Sequence, residues 1–326
     1  MTQKEILSSL KDLNANKDST TWDQRTFQRA PHKPFLLLSI LDGIEIGWID
    51  DPRITLTQDL IETFFRYWNR IMGEDRKTTI ALPFFHMKSE PFWDLHYREG
   101  MTPYSNSPSL GGLMKRLSHA RMDDQLFAMM QDEEGQQRIS STIIRHYFSE
   151  DLREEIQSIH RINIGAYRYA EQLELLAAEP FEKYHTDDNA PSYSWQKKQQ
   201  RKQGFRINVR QNYTHRCAIC RAKVQTPSGK SLVEGAHIIP WNRSKNDDPR
   251  NGLALCKTHH WMFDKQLLSI RPDYQIKLSA WLKNRGENID DTLAWDREQI
   301  LLPDKQQFLP SQEALEERYE EFKTGR

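Results

Sequence analysis

The chain has 326 residues, enough for two ordinary domains that each bury a core. Charged residues make up 28% and hydrophobic ones 37%, with 14 Phe, 11 Tyr and 9 Trp, which excludes a disordered chain. The formal net charge is zero, yet the interval 190–231 holds ten basic residues and no acidic one, so a neutral total conceals a basic block suited to polyanions.

The pattern predicts these elements in chain order. A first amphipathic helix runs over Thr2–Asn14, with Ile6, Leu7, Leu10 and Leu13 on one face. Pro34 opens a second, which continues through Leu36, Leu37, Ile40 and Leu41 towards Gly47. A third follows Thr57 as N-cap and carries Leu60, Ile61, Phe64, Tyr67, Trp68, Ile71 and Met72. The stretch IALPFFHMKSEPFWDLHYREG alternates and reads as two short strands. Met122–Asp132, Gly135–Phe148 and Ser149–Leu176 return to helix. The aperiodic Ala177–Trp195, rich in Pro, Ser, Asp and Asn, is the expected linker. Beyond it come a basic helix (Lys197–Tyr213), a cysteine-containing module, two strands (Leu267–Ile270, Gln275–Leu278) and a tail helix (Glu313–Lys323). The expected domains are 1–160, a helical connector and linker 161–195, and 196–326.

No apolar run approaches a membrane span, and MTQKEILSSLKDLN lacks the apolar centre of a secretory signal. A cytoplasmic protein with no membrane partner is therefore expected. In a reducing compartment its three cysteines are metal ligands before they are a disulfide framework. All three lie between His215 and Asp264. Cys217-x-x-Cys220 and Cys256-x-x-His259 form two knuckles, and a two-residue spacer brings both ligands of a knuckle to one side of a tetrahedral ion. A structural Zn2+ is the expected occupant.

Between and after the knuckles stand AHIIPW, NGLALC and HHWMFD. This order, framed by CxxC and CxxH, closely resembles the HNH nucleases of the ββα-metal fold, over about Arg206–Leu282. The resemblance implies DNA phosphodiester hydrolysis by a one-metal mechanism. It implies His237 as general base, and Asn251 as a residue that positions the loop by hydrogen bonding or contributes to the metal site. It further implies His260 as a ligand of a catalytic divalent ion, Mg2+ or Mn2+, or else Ni2+ or Co2+. The two histidines are expected to converge on one phosphate. Ala236 departs from the pattern, because many HNH enzymes carry an Asp ligand there; Glu234 and Asp264 are candidates for the remaining ligands. The basic helix adds Arg206 and Arg210 as expected DNA contacts.

In the first half, His32-Lys33-Pro34 before a leucine-rich helix, and Pro91-Phe92-Trp93, resemble the sulfur-binding domains of modification-dependent restriction enzymes that end in an HNH nuclease. The match spans roughly Arg29–Leu126. It implies a reader of phosphorothioate DNA, with Pro91, Phe92 and Trp93 as an apolar wall for the less hydrated sulfur. Arg29, His32, Lys33 and Arg116 would supply charge for the phosphate. Glu90 stands where the family commonly has an aromatic residue.

The expected fold class is thus α+β: a mostly helical N-terminal domain with a small antiparallel sheet, and a zinc-braced ββα-metal domain. The expected partners are modified double-stranded DNA and a second copy of the chain, since a double-strand break needs two active sites. Methylated or hydroxymethylated bases, or a plain sequence, are the alternative triggers. A zinc-containing DNA-binding protein without catalysis is the alternative outside enzymes.

Overall fold

A computed structural model describes residues 1–178, 181, 194–227, 229–284 and 290–325. The chain divides into two units, Met1–Ile164 with Thr226–Lys230, and Gly165–Gln225 with Ser231–Arg326. Most of the expected linker, and so the connector's end, lies outside the described residues.

In the first unit, α1 (Gln3–Lys11) starts at a reciprocal cap in which Thr2 and Glu5 satisfy each other's backbone N–H groups. Helix α2 (His32–Ile46) is buried from Lys33 to Ile44. A helix apolar on every side belongs inside a core, and this one lies at the centre of its unit. Gly47 ends it in the left-handed region (φ +94°). Helix α3 (Gln58–Met72) begins where Thr57 Oγ1 accepts from Leu60 N at 3.2 Å, and it packs its aromatic face on the same core.

Helices α4 (Ala81–His86), α5 (Leu110–Arg116), α6 (Asp124–Gln131), α7 (Glu133–Tyr147) and α8 (Glu150–Leu176) follow. Strands β1 (Arg53–Ile54), β2 (Trp93–Tyr97) and β3 (Leu117–Met122) make an antiparallel sheet in the order β1-β3-β2. Two expectations are corrected here. IALPFF is a helix and not a strand, because Ile80, Ala81, Phe84 and Phe85 all bury at near-helical spacing. Met122 closes a strand, and the helix after it starts from Asp123, whose carboxylate accepts from Gln125 N and Leu126 N.

A polar knot lies within this unit. Asp42, on α2 and fully buried, accepts from Tyr67 Oη (2.9 Å) and from Asn163 Nδ2 (2.7 Å). His160 Nδ1 is 2.7 Å from Asp42 Oδ1, and its Nε2 is 3.3 Å from Glu45 Oε2. Burial lowers the His160 pKa, but the hydrogen bond and charge of Asp42, helped by Glu45, outweigh it and leave the pKa raised. A raised folded-state pKa gives stability that is complete below the unfolded value, about 6.5, and lost as pH climbs through the folded value. Thermal melts should therefore show wild type losing more midpoint temperature than His160→Gln between pH 6 and pH 8.5. Equal slopes would remove His160 from the account.

The second unit is built on α9 (Trp195–Asn212) and the antiparallel hairpin β4 (Val233–His237) and β5 (Gly252–Cys256). After β4 comes the short α10 (Trp241–Ser244), and after β5 comes α11 (Lys257–Asp264), which completes a β-β-α order. Strands β6 (Leu268–Ile270) and β7 (Ile276–Leu278) pair with each other. The short α12 (Ala280–Lys283) and α13 (Asp290–Leu293) and the tail α14 (Gln312–Thr324) finish the chain. Gly252 is needed where α9 crosses the hairpin: a Cβ there would sit 2.5 Å from Val209 Cγ2 and 3.2 Å from Phe205 Cζ. The α+β class holds, and no described helix is long and apolar enough to cross a membrane.

Candidate active site

The four ligand atoms of Cys217, Cys220, Cys256 and His259 lie within 4.8 Å of one another. His259 turns Nδ1 to the sulfurs, 3.3 Å from Cys217 Sγ and 3.1 Å from Cys256 Sγ. Three thiols and one imidazole are the donor set of a structural zinc site, so the residues fit the expected ion. The cluster is also tied to the hairpin: Ala218 N donates to Ala254 O at 2.7 Å, and Cys256 ends β5.

Strand alternation decides where the other expected residues point. His237 and Gly252 are register partners, and both face α9. The His237 ring stacks on Phe205 (centroids 3.8 Å apart, planes at 5°). Its Nε2 lies 2.7 Å from Oδ1 of Asp247, a fully buried residue. Asp247 also accepts from Arg201 Nη1 (3.0 and 2.7 Å) and Tyr169 Oη (3.0 Å).

Glu234, three residues earlier on β4, faces the other way. Its Oε2 is 3.2 Å from His260 Nδ1 on α11, and His260 Nε2 is 3.6 Å from Asp264 Oδ2. His237 and His260 keep 20% and 27% of their side chains exposed, so solvent reaches both. The three side chains hydrogen-bond to different partners: His237 to Asp247, Asn251 to the backbone of Ile239, and His260 to Glu234.

Asn251 is 1% exposed, and its amide is spent on the loop. Oδ1 accepts from Ile239 N at 2.9 Å, and Nδ2 donates to Ile239 O (3.1 Å) and Asn246 O (3.0 Å). These three bonds tie the amide to both ends of the loop 239–246. Among the described residues, the Cys3His set is the one group of three or more such ligands drawn together. His260 and Glu234 form a two-donor pair.

On α9, Lys198, Lys202 and Arg206 repeat at four-residue spacing and are all exposed. Like charges at that spacing destabilise a helix, so the stripe reads as a polyanion surface. Arg210 is corrected: it is buried at 9% exposure, and its Nε donates to Arg206 O at 3.3 Å.

In the first unit, the expected recognition residues separate. His32 and Lys33 line a cavity of about 590 Å³, together with Trp22, Leu82, Pro83 and Ser89. Phe92 and Trp93 do not line it. They are core residues, 1% and 4% exposed, and Trp93 Nε1 donates to Phe84 O at 3.2 Å. Pro91 is exposed outside the cavity, Arg116 covers the Tyr104 ring at 4.2 Å, and the charge of Arg29 is felt by Tyr147. Lys33 is 5% exposed and ion-paired with Glu90, which explains an acid at that position. Burial, aided by the Arg76 charge, lowers His32 to about 4, so its ring is neutral near pH 7. Leu82 and Pro83, on α4, are among the apolar residues that line the cavity, together with Trp22 and Ala30.

Residues 217–271 match the family model described as HNH endonuclease. The second unit thus carries an HNH endonuclease domain. Among solved structures, the chain is similar to the modification dependent TagI restriction endonuclease, at 21% identity and a TM-score of 0.27. That match covers 36% of this chain and 36% of the other, so the chain spans little more than a third of that structure's length. No curated protein matches.

Proposed function

We propose that the chain is a modification-dependent DNA endonuclease, with phosphorothioate DNA as its substrate. The observation that carries the nuclease reading is the hairpin and helix that hold His237 against buried Asp247 on one face and His260 against Glu234 on the other. The scissile phosphate would lie across the end of the hairpin, where β4 stops at His237. A divalent ion held by His260 and Glu234 would supply Lewis-acid stabilisation of the phosphate's added charge. His237 takes the proton of the attacking water. Cys217, Cys220, Cys256 and His259 hold a structural Zn2+ that fixes β5 and α11, while the stripe Lys198, Lys202 and Arg206 follows the phosphate backbone.

The phosphorothioate reading is supported by the cavity at His32. A neutral imidazole, Leu82 and Pro83 present a weakly polar wall, and sulfur loses less hydration than oxygen on entering it. An apolar wall discriminates by only about 1–3 kcal/mol, so further DNA contacts must add to it. Two copies of the chain, one per strand, would make the double-strand break.

The test is cleavage of one plasmid sequence in phosphorothioated, methylated and unmodified form, with Mg2+ or Mn2+. The expected result is rapid breakage of the phosphorothioated plasmid alone. Equal cleavage of the unmodified plasmid would overturn the trigger and leave the nuclease. Intact plasmid in every arm, with binding preserved, would support the non-catalytic alternative.

A further inference from the structure

We propose that Asp247 is the positioning residue of the catalytic site: it fixes the tautomer and orientation of His237 so that Nδ1 is the atom that receives the proton of water. The inference rests on the nuclease reading and deepens it.

A carboxylate only accepts hydrogen bonds. With Asp247 Oδ1 at 2.7 Å, Nε2 of His237 is the protonated nitrogen, and Nδ1 keeps the lone pair. The Phe205 stack holds the ring plane. Asp247 is itself fixed from two helices, by Arg201 of α9 and by Tyr169 of α8. The Arg201 guanidinium lies 3.9 Å from the centre of the Trp241 ring and is 4% exposed, so the pair is buried as a unit. A fully buried carboxylate is costly unless paired and hydrogen-bonded, and here both conditions are met.

The loop that carries Asp247 is braced on either side. Asp248 N donates to Asn246 Oδ1 at 2.7 Å, Asn251 Nδ2 donates to Asn246 O at 3.0 Å, and Arg250 clamps Asp248 at 2.9 and 2.6 Å. Asn251 therefore serves the reaction at one remove, by holding the loop that presents Asp247.

In hydrolysis the water oxygen bonds to phosphorus, its proton moves to His237 Nδ1, and the bond from phosphorus to the leaving sugar oxygen breaks. The departing oxygen takes a proton from solvent. An imidazolium forms beside Asp247, whose negative charge stabilises it most when the proton has transferred, which is the condition for a rate effect.

The experiment compares wild type, Asp247→Asn, His237→Ala and the double variant in single-turnover cleavage at saturating DNA, with DNA affinity measured in parallel. Asp247→Asn should slow cleavage by about 10²-fold or more with affinity unchanged, within the range general-base catalysis supplies. The double variant should be no slower than His237→Ala alone, because a positioning residue has nothing left to position. A double variant slower by the full product would overturn the proposal, as would an Asp247→Asn rate equal to wild type. If Asp247→Asn unfolds, Arg201→Gln with Asp247→Asn removes both charges together. Independently of any variant, nitrogen-15 spectra of wild type with labelled histidine should show neutral His237 protonated at Nε2; a proton at Nδ1 overturns the proposal outright. A wild type that cuts no substrate would sink the nuclease reading, whereas the spectrum still decides the geometry.

Discussion

Replacing Cys256 with Ser, or stripping zinc with a strong chelator, is expected to unfold the second unit and abolish both cleavage and its high-temperature melting transition. Cys256 is the last residue of β5 and the N-cap of α11, so the ligand set joins strand to helix. The other knuckle is bonded to the same strand through Ala218 N and Ala254 O, and it receives a further bond from Leu301 N to Ala218 O at 2.7 Å. Losing the ion therefore disconnects three segments at once. Structural zinc contributes about 10–16 kcal/mol in small modules, against about 5–15 kcal/mol for the whole stability of a typical domain. Elemental analysis should find one zinc per chain in wild type and none in Cys256→Ser. A variant that melts with wild type would show that the cluster is not a brace.

The second large effect belongs to His237. Its replacement by Ala should slow DNA cleavage by roughly 10²–10⁴-fold, the range contributed by a positioned general base. Folding should survive, because Asp247 keeps Arg201 and Tyr169 as partners. DNA binding should survive as well, since the α9 stripe is untouched. A ring that only filled space would behave otherwise, costing stability and leaving the rate of the folded fraction alone.

What could be read from the sequence divides along the distance over which each signal acts. The Cys3His group was legible because a knuckle is a local motif: a two-residue spacer brings its two side chains to one side. Helix α2 and the Thr57 cap were legible for the same reason. Asp247 carried no signal. Its contacts depend on α8, α9 and the loop after β4 meeting in space, and in the sequence it is one acid among DDPRN. Asn251 stood out in NGLALC, but the three bonds that its amide makes within the loop depend on Asn246 and Ile239 folding back on it, which no spacing announces.

The cavity at His32 shows the opposite failure. Pro-Phe-Trp looked like an exposed apolar wall, yet Phe92 and Trp93 are neighbours in sequence and both buried. Adjacent residues at a strand start point to opposite sides, so both sides are covered by protein. Part of the apolar lining of the cavity comes from Leu82 and Pro83, on a short helix that alternation had disguised as a strand.

The central claim is that His237, held by Asp247, drives metal-dependent cutting of DNA. Its most direct test is supercoiled plasmid, phosphorothioated and unmodified, incubated with wild type or His237→Ala in Mn2+, with binding followed on the same samples. The account predicts broken phosphorothioated plasmid from wild type, intact plasmid from His237→Ala on the same time scale, and equal binding by both. Cleavage at the same rate by both proteins would contradict it.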